Sequence, residues 1–130
     1  MKTKTLWRAA NDAYVEQGTS FAPKKSTAEA YLDNPGYGGA TLYKTSVDLA
    51  KQPALDMTGW TWRDVRVKLD VKTPSGIGID EWLPRDPRML DQIRSLGYFW
   101  AKVDESYPQG EVTWIWCGTS DDDEPALEAL

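Results

Sequence analysis

The chain has 130 residues, of which 41% are hydrophobic and seven are tryptophan, and this composition predicts one folded domain with a modest core. It contains no histidine and a single cysteine, Cys117. These counts exclude Ser-His-Asp and Cys-His nucleophiles, histidine-ligated metals and cysteine-rich metal sites, so we expect no metal centre. An enzyme built on this chain must work with carboxylates, hydroxyls, amides and arginines.

The net charge of −5 arises at the C-terminal end of the chain. Five acids lie in the last ten residues, and the rest of the chain carries 15 acids and 15 bases. Because acidic and basic residues are equal in number there, this part of the chain lacks the excess positive charge that attracts nucleic acid, which argues against a nucleic-acid partner. We therefore predict a single domain over residues 1–118 and an acidic, mobile tail over residues 119–130. The tail either keeps the protein soluble or contacts a partner.

Nothing in the sequence indicates a membrane or a secreted protein. No apolar run approaches 18 residues, and the N-terminus lacks the apolar stretch of a secretory signal. One cysteine leaves no internal disulfide. We expect a cytoplasmic protein.

The first half of the chain predicts two strands, a short helix and a further strand. Thr3 to Ala9 is a strand, and Gly18 to Ala22 is a short strand or bend. Ser26 to Glu29 fits a capping box, which predicts a helix that Asn34-Pro35-Gly36 ends. Residues 40–49 alternate as a strand.

The middle of the chain is less decisive. Trp60 and Trp62 are typical of the core or its edge. From Val65 to Val71 apolar and charged residues alternate, which predicts a strand with one buried face and leaves a helix over part of it as the alternative. Gly76 to Ile79 is typical of a loop or a short extended piece.

The second half gives the clearest helix. Asp86 caps it, Pro87 takes its first position, an apolar stripe follows and Gly97 ends it. Strands over Tyr98–Val103 and Val112–Trp116 complete an α+β domain.

The last strand places one acid where a turn enters a sheet. Side chains alternate, so Val112, Trp114 and Trp116 share one face and Glu111 lies on the other. Glu111 is then either a solvated acid at a strand entrance or a carboxylate held at the edge of a cleft.

Several segments together resemble the small ADP-ribosyltransferase domains, a family that uses NAD. Leu6-Trp7-Arg8 is similar to its first motif, and Gly18 to Ala22 with the following helix is similar to its middle motif. Residues 41–49 are similar to its mid-domain strand, and Gln109-Gly110-Glu111 fits its final Gln-any-Glu form. The resemblance covers residues 6–117 and implies a split β-sheet core with short flanking helices.

The resemblance also implies roles for individual residues. Catalysis is assigned to Glu111, Gln109 and Ser20, where Glu111 stabilises positive charge on the ribose as NAD is cleaved and Gln109 orients the acceptor. The residues that would bind NAD are Arg8, Trp7, Thr19, Ser20 and Tyr31, with Arg8 forked onto the pyrophosphate or ribose.

Two features depart from the family pattern or leave its assignment open. Thr19-Ser20-Phe21 stands where many members have Ser-Thr-Ser. Asp104 or Glu105 carries the acidic role if the register of the last strand is different.

The implied function is mono-ADP-ribosyl transfer from NAD to a protein partner. Free-standing domains of this kind resemble bacterial toxins, phage-encoded modifiers of host proteins and inhibitors of CRISPR machinery, so the sequence predicts a modifier of that type. One alternative keeps the fold without the chemistry, as a binding inhibitor that docks through exposed Trp and Tyr. Another is an NAD glycohydrolase that uses water as acceptor.

Overall fold

The computed structural model describes residues 2–32, 41–106 and 110–130. In these segments the strands are β1 (Thr3–Ala10), β2 (Ser20–Phe21), β3 (Thr41–Asp48), β4 (Ala54–Asp56), β5 (Trp100–Asp104), β6 (Val112–Trp116) and β7 (Glu128–Ala129). The helices are α1 (Lys25–Glu29), α2 (Trp62–Leu69), α3 (Ile79–Trp82) and α4 (Pro87–Ser95), with a 3₁₀ turn at Leu83–Arg85. The predicted α+β class is confirmed.

The strands form two separate sheets. The first has the order β1-β3-β7, and the second has the order β2-β6-β5-β4. All pairs are antiparallel except β4 with β5, which is parallel. An isolated bridge between Trp7 and Ala22 links β1 to the residue after β2, so the two sheets meet at this edge.

The second sheet is buried on both faces, because it lies between the first sheet and the helices. One core cluster joins the two sheets and contains Trp100, Trp114 and Trp116 together with Leu6 and Val47. Ile115, on the opposite face of β6 from Trp114 and Trp116, packs into the helical core.

That helical core is the second cluster of buried side chains. Its members are Met57, Val65, Leu69, Leu83, Met89, Leu90, Ile93, Ala101, Val103, Ile115 and Cys117. Trp60 and Trp62 pack against its edge while partly buried, which confirms their predicted place.

The helix over Pro87–Ser95 forms for the predicted reasons. Asp86 accepts hydrogen bonds from the backbone N–H groups of Arg88 and Met89, and Pro87 occupies the first position. Gly97 follows with a φ of +100°, a conformation that glycine adopts without a Cβ clash.

The strand predicted over Val65–Val71 is wrong, because most of this segment is helix α2. Val65 and Leu69 are four residues apart and both buried, whereas Val67 is 70% exposed. That spacing is one face of a helix, and a strand would bury Val67 together with its neighbours. Thr61 and Asp64 form the capping box that begins this helix.

The capping box predicted at Ser26 is also wrong. Helix α1 begins at Lys25 with Lys24 as the N-cap residue, and no side chain caps it. Ser26 therefore lies inside the first turn. The predicted stop at Asn34-Pro35-Gly36 lies outside the described residues.

The acidic C-terminal segment, for which the sequence predicts a mobile tail, makes contacts with the rest of the domain. Both nitrogens of the Arg94 fork donate to the Asp122 carboxylate, each at 3.0 Å. Farther along, β7 pairs with Tyr43 and Lys44 of β3. The segment is held by an ion pair and by sheet hydrogen bonds, neither of which charge composition indicates.

In the described segments, no helix is long and apolar enough to cross a membrane.

Candidate functional site

The candidate site is a cavity of about 150 Å³ at the edge where the two sheets meet. β1, β2, α1 and the ends of β5 and β6 enclose it. Its polar and aromatic lining residues are Trp7, Arg8, Ser20, Phe21, Thr27, Tyr31, Glu105 and Thr113.

Arg8 enters the cavity from the inward face of β1, the face that also carries Leu6. One terminal nitrogen of its guanidinium donates to the Ser20 carbonyl at 2.9 Å. Its Nε is buried and has no hydrogen-bond partner among the described residues. Burial lowers the pKa of the guanidinium, and nearby Asp12 acts in the opposite direction. Arginine remains charged throughout the physiological range, so the cavity is lined by a cation.

The other predicted NAD-binding residues divide into two groups. Trp7, Ser20 and Tyr31 line the cavity with Arg8. The backbone of Trp7 exchanges two hydrogen bonds with Ala22, at 2.8 and 2.9 Å, which fixes β1 beside β2. Thr19 is buried and does not line the cavity; its hydroxyl accepts from the Glu16 N–H at 3.0 Å and holds the turn before β2.

The two remaining catalytic candidates lie elsewhere. Glu111 is not among the residues that line the cavity; its carboxylate lies 3.6 Å from the Lys24 ammonium, and its side chain is 25% exposed. Gln109 lies outside the described residues. Of Arg8 and Glu111, to which the resemblance gives roles at an NAD site, only Arg8 lines this cavity.

Glu105 supplies the carboxylate that does line the cavity. Its backbone N–H donates to the Glu111 carbonyl at 2.9 Å, so the two acids face each other across the ends of β5 and β6. Burial raises the pKa of Glu105 to about 7, with further contributions from a hydrogen bond to Asp80 and from the charges of Asp80 and Glu111. Glu105 thus exchanges its proton near neutral pH.

Asp80 is fixed behind Glu105 by the turn that follows β5. The Ser106 N–H and hydroxyl both donate to its carboxylate, at 2.9 and 2.5 Å.

Two polar cavity residues that the sequence did not indicate are Thr27 and Thr113. Alternation along β6 places Thr113 on the Glu111 face, which was the available signal; nothing local marks Thr27.

Chemically, the arrangement suits a small ligand with one anionic group. A cation, three aliphatic hydroxyls, three aromatic rings and a carboxyl group that titrates near neutral pH line it. At about 150 Å³, the volume is below the roughly 300–1,000 Å³ of typical ligand pockets, so the described residues enclose room for part of a dinucleotide. No group of three or more His, Cys, Asp or Glu side chains in the described segments is arranged to hold a metal ion.

The fold and the site together define a small α+β protein with two sheets and a polar cavity at their junction. No protein-family profile matches the chain, and a search of curated proteins also gives no match. Among solved structures, the chain is similar to the crystal structure of an anti-CRISPR protein, with a TM-score of 0.53 and 16% sequence identity. The match covers 98% of this chain and 96% of that one, so the two proteins share an overall fold.

Proposed function

We propose that this protein is an inhibitor of bacterial CRISPR immunity that acts by binding a protein of that machinery. The observation that carries the proposal is the similarity to an anti-CRISPR protein over nearly the whole of both chains. Fold similarity alone supports function by analogy. The small cavity adds support, since a binding inhibitor needs no pocket for a complete dinucleotide. Exposed side chains such as Tyr14, 66% exposed, offer anchors for a partner surface.

The test is protection of phage from CRISPR immunity. The protein is expressed in a panel of strains, each with one active CRISPR type and a phage that carries the matching target. We expect plaque numbers to rise to those of a strain without immunity in at least one member. Leu6→Asp is the control, because it places a carboxylate in the fully buried core and removes the fold. Normal immunity in every strain that accumulates folded protein refutes the proposal.

A second candidate function, ADP-ribosyl transfer from NAD, is favoured by one specific observation. The cation Arg8 lines the same cavity as Ser20, Tyr31 and Glu105. In this scheme Arg8 holds a pyrophosphate oxygen, and Glu111 or Glu105 stabilises the positive charge that develops on the ribose. The ribose–nicotinamide bond breaks, a bond to the acceptor side chain forms, and the acceptor proton passes to a carboxylate.

The two functions separate by their need for NAD. The purified protein is mixed with the CRISPR component that it inhibits, with and without labelled NAD. Transfer of label that Glu111→Gln or Glu105→Gln removes, and that the exposed-acid control Glu81→Gln retains, supports the enzyme. Inhibition without NAD that all three variants retain supports the binding inhibitor. Consumption of NAD without any protein acceptor indicates a glycohydrolase.

A further inference from the structure

A second hollow lies on the helical side of the molecule, away from Arg8. It has a volume of about 850 Å³, more than five times that of the cavity beside Arg8. Lys72, Thr73 and Pro74, which follow α2, form one wall, and Trp82, Arg85 and Arg88, around the start of α4, form the other. We call this hollow the basic groove.

Three cations reach the basic groove from three different elements. Lys72 follows α2, Arg85 belongs to the 3₁₀ turn, and Arg88 lies in the first turn of α4. All three are exposed. Within the described part of the chain, none of their side chains forms an ion pair or a hydrogen bond. The groove therefore presents unused positive charge, including two planar guanidinium groups.

The groove also contains two acids, Asp70 and Asp86, so its three cations leave a formal net charge of +1. Asp86 has both oxygens engaged: one accepts the N–H groups of Arg88 and Met89, and the other accepts the Trp82 indole N–H at 2.9 Å. Asp70 is exposed at the C-cap of α2. An incoming anion thus meets cations rather than free carboxylates on the wall that carries Arg85 and Arg88.

The walls are stiff and partly apolar. Asp70 has a left-handed backbone, with φ of 52°, which turns the chain sharply after α2. The Arg66 guanidinium donates to the Thr73 hydroxyl at 3.3 Å and ties the turned segment back to the helix. Pro74 and Pro87 restrict the backbone of each wall, and rigid walls lose little entropy when a ligand binds.

The protein already holds one acidic segment by the chemistry that the groove offers. Arg94 forks onto Asp122 with two hydrogen bonds of 3.0 Å and fastens the acidic C-terminal segment to the body. Bidentate pairing of this kind suits arginine and carboxylate. Arg85 and Arg88 have the same fork and no such partner in the described chain.

From this charge complementarity, we propose that the basic groove binds an acidic segment of a partner protein, one in which carboxylates alternate with apolar side chains. The carboxylates pair with Lys72, Arg85 and Arg88, and the apolar side chains pack on the proline walls. Three cations are few for nucleic acid, whose affinity depends on many phosphate contacts. The inference deepens the proposed inhibitor function and rests on it only for the identity of the partner.

The test uses a peptide probe and the full-length protein. The probe is a twelve-residue peptide in which Glu and Asp alternate with Leu and Val; the comparison peptides carry Gln and Asn, or Lys, at the charged positions. Binding is followed by the NMR signal of the Trp82 indole N–H, assigned with Trp82→Phe, and by fluorescence anisotropy. We expect the acidic peptide alone to shift the Trp82 signal and to bind more weakly as salt rises.

Charge-reversal variants locate the site. Arg85→Glu with Arg88→Glu should weaken binding about tenfold, since each reversal replaces one partly exposed attraction by a repulsion. Both side chains are exposed, so the fold should persist, and tryptophan fluorescence checks this. Lys25→Glu with Lys51→Glu makes the same change in net charge at exposed positions outside the groove and should leave affinity unchanged.

Four results with the peptide and oligonucleotide probes overturn the proposal. They are no shift of the Trp82 signal with any peptide at millimolar concentration, equal binding of the neutral peptide, equal loss of affinity in the control double variant, and tighter binding of a twelve-nucleotide single strand. A dimer in solution that Arg85→Glu with Arg88→Glu dissociates would identify a second copy as the occupant and also overturn it. Because the probe contains no CRISPR component, failure here is distinct from failure of phage protection.

Discussion

Replacement of Glu105 by glutamine should remove the part of the pH dependence of stability that comes from this carboxyl group. The folded protein raises the pKa of Glu105 from 4.5 to about 7, so it binds this proton more tightly than the unfolded chain does. Below pH 4.5 the group is protonated in both states and costs nothing. Between pH 4.5 and 7 the unfolded chain releases the proton first, and the free energy of unfolding falls; above pH 7 the loss is complete.

The size of the effect follows from the same two values. If the whole difference between the pKa values of 4.5 and about 7 is converted to free energy, the free energy of unfolding falls by roughly 3 kcal/mol at high pH. Solvent screens this partly exposed group, so we expect about 1–2 kcal/mol. Glu105→Gln keeps the shape of the side chain without the charge. As the pH rises from 5 to 8.5, the free energy of unfolding of the variant should therefore increase by about 1–2 kcal/mol relative to that of the wild type.

Urea unfolding followed by tryptophan fluorescence measures this difference at each pH, and all other titrating groups are common to both proteins. Glu81→Gln, which removes one exposed carboxylate from α3, gives the background effect of a lost charge. A difference between wild type and Glu105→Gln that is the same at pH 5 and pH 8.5 would refute the reasoning, and so would a relative loss of stability by the variant at high pH.

Substitutions at three further positions test the packing and the C-terminal segment. Asp122→Asn should lower the free energy of unfolding by about 1–2 kcal/mol, because it weakens the fork from Arg94, and should speed proteolysis after residue 119; an unchanged cleavage rate would contradict this. Gly118→Ala should cost about 1–3 kcal/mol in urea unfolding, since the added Cβ would overlap the Trp116 indole; full stability would mean that the ring moves aside freely. Trp100→Ala should cost about 3–5 kcal/mol, whereas Trp100→Phe should cost less, because the buried Trp100 indole N–H has no partner among the described residues; equal losses would argue against that explanation.

The elements that the sequence predicted well are those with local signals. Asp86, Pro87 and Gly97 mark the ends of α4 without reference to the rest of the chain. The run of β-branched and aromatic residues from Val112 to Trp116 likewise defines β6.

Helix α2 was mistaken for a strand because its sequence fits two periodicities. Val65, Val67 and Leu69 alternate with charged residues, as in a strand, yet Val65 and Leu69 also share a helical face. The capping box formed by Thr61 and Asp64 favours the helix over the strand, and its residues could be read from the sequence.

The C-terminal segment and the candidate site depend on tertiary contacts that no local pattern indicates. Nothing near Asp122 in the sequence points to Arg94 as its partner. In the site, the resemblance grouped Arg8 with Ser20, and the two do line one cavity. Whether Glu105 or Glu111 faces that cavity depends on the pairing at the ends of β5 and β6, which residue types alone do not specify.

The pairing of β2 with β6 has a consequence for synthesis on the ribosome. Ser20 pairs with Ile115, so an early segment of the nascent chain finds its sheet partner only when almost all of the described chain has emerged. The hairpin of β5 and β6 forms from neighbouring residues, whereas β2 must wait for it. Until then, Phe21 and Leu6 lack the tryptophans that bury them in the folded protein, so the unfinished chain exposes apolar side chains that favour association.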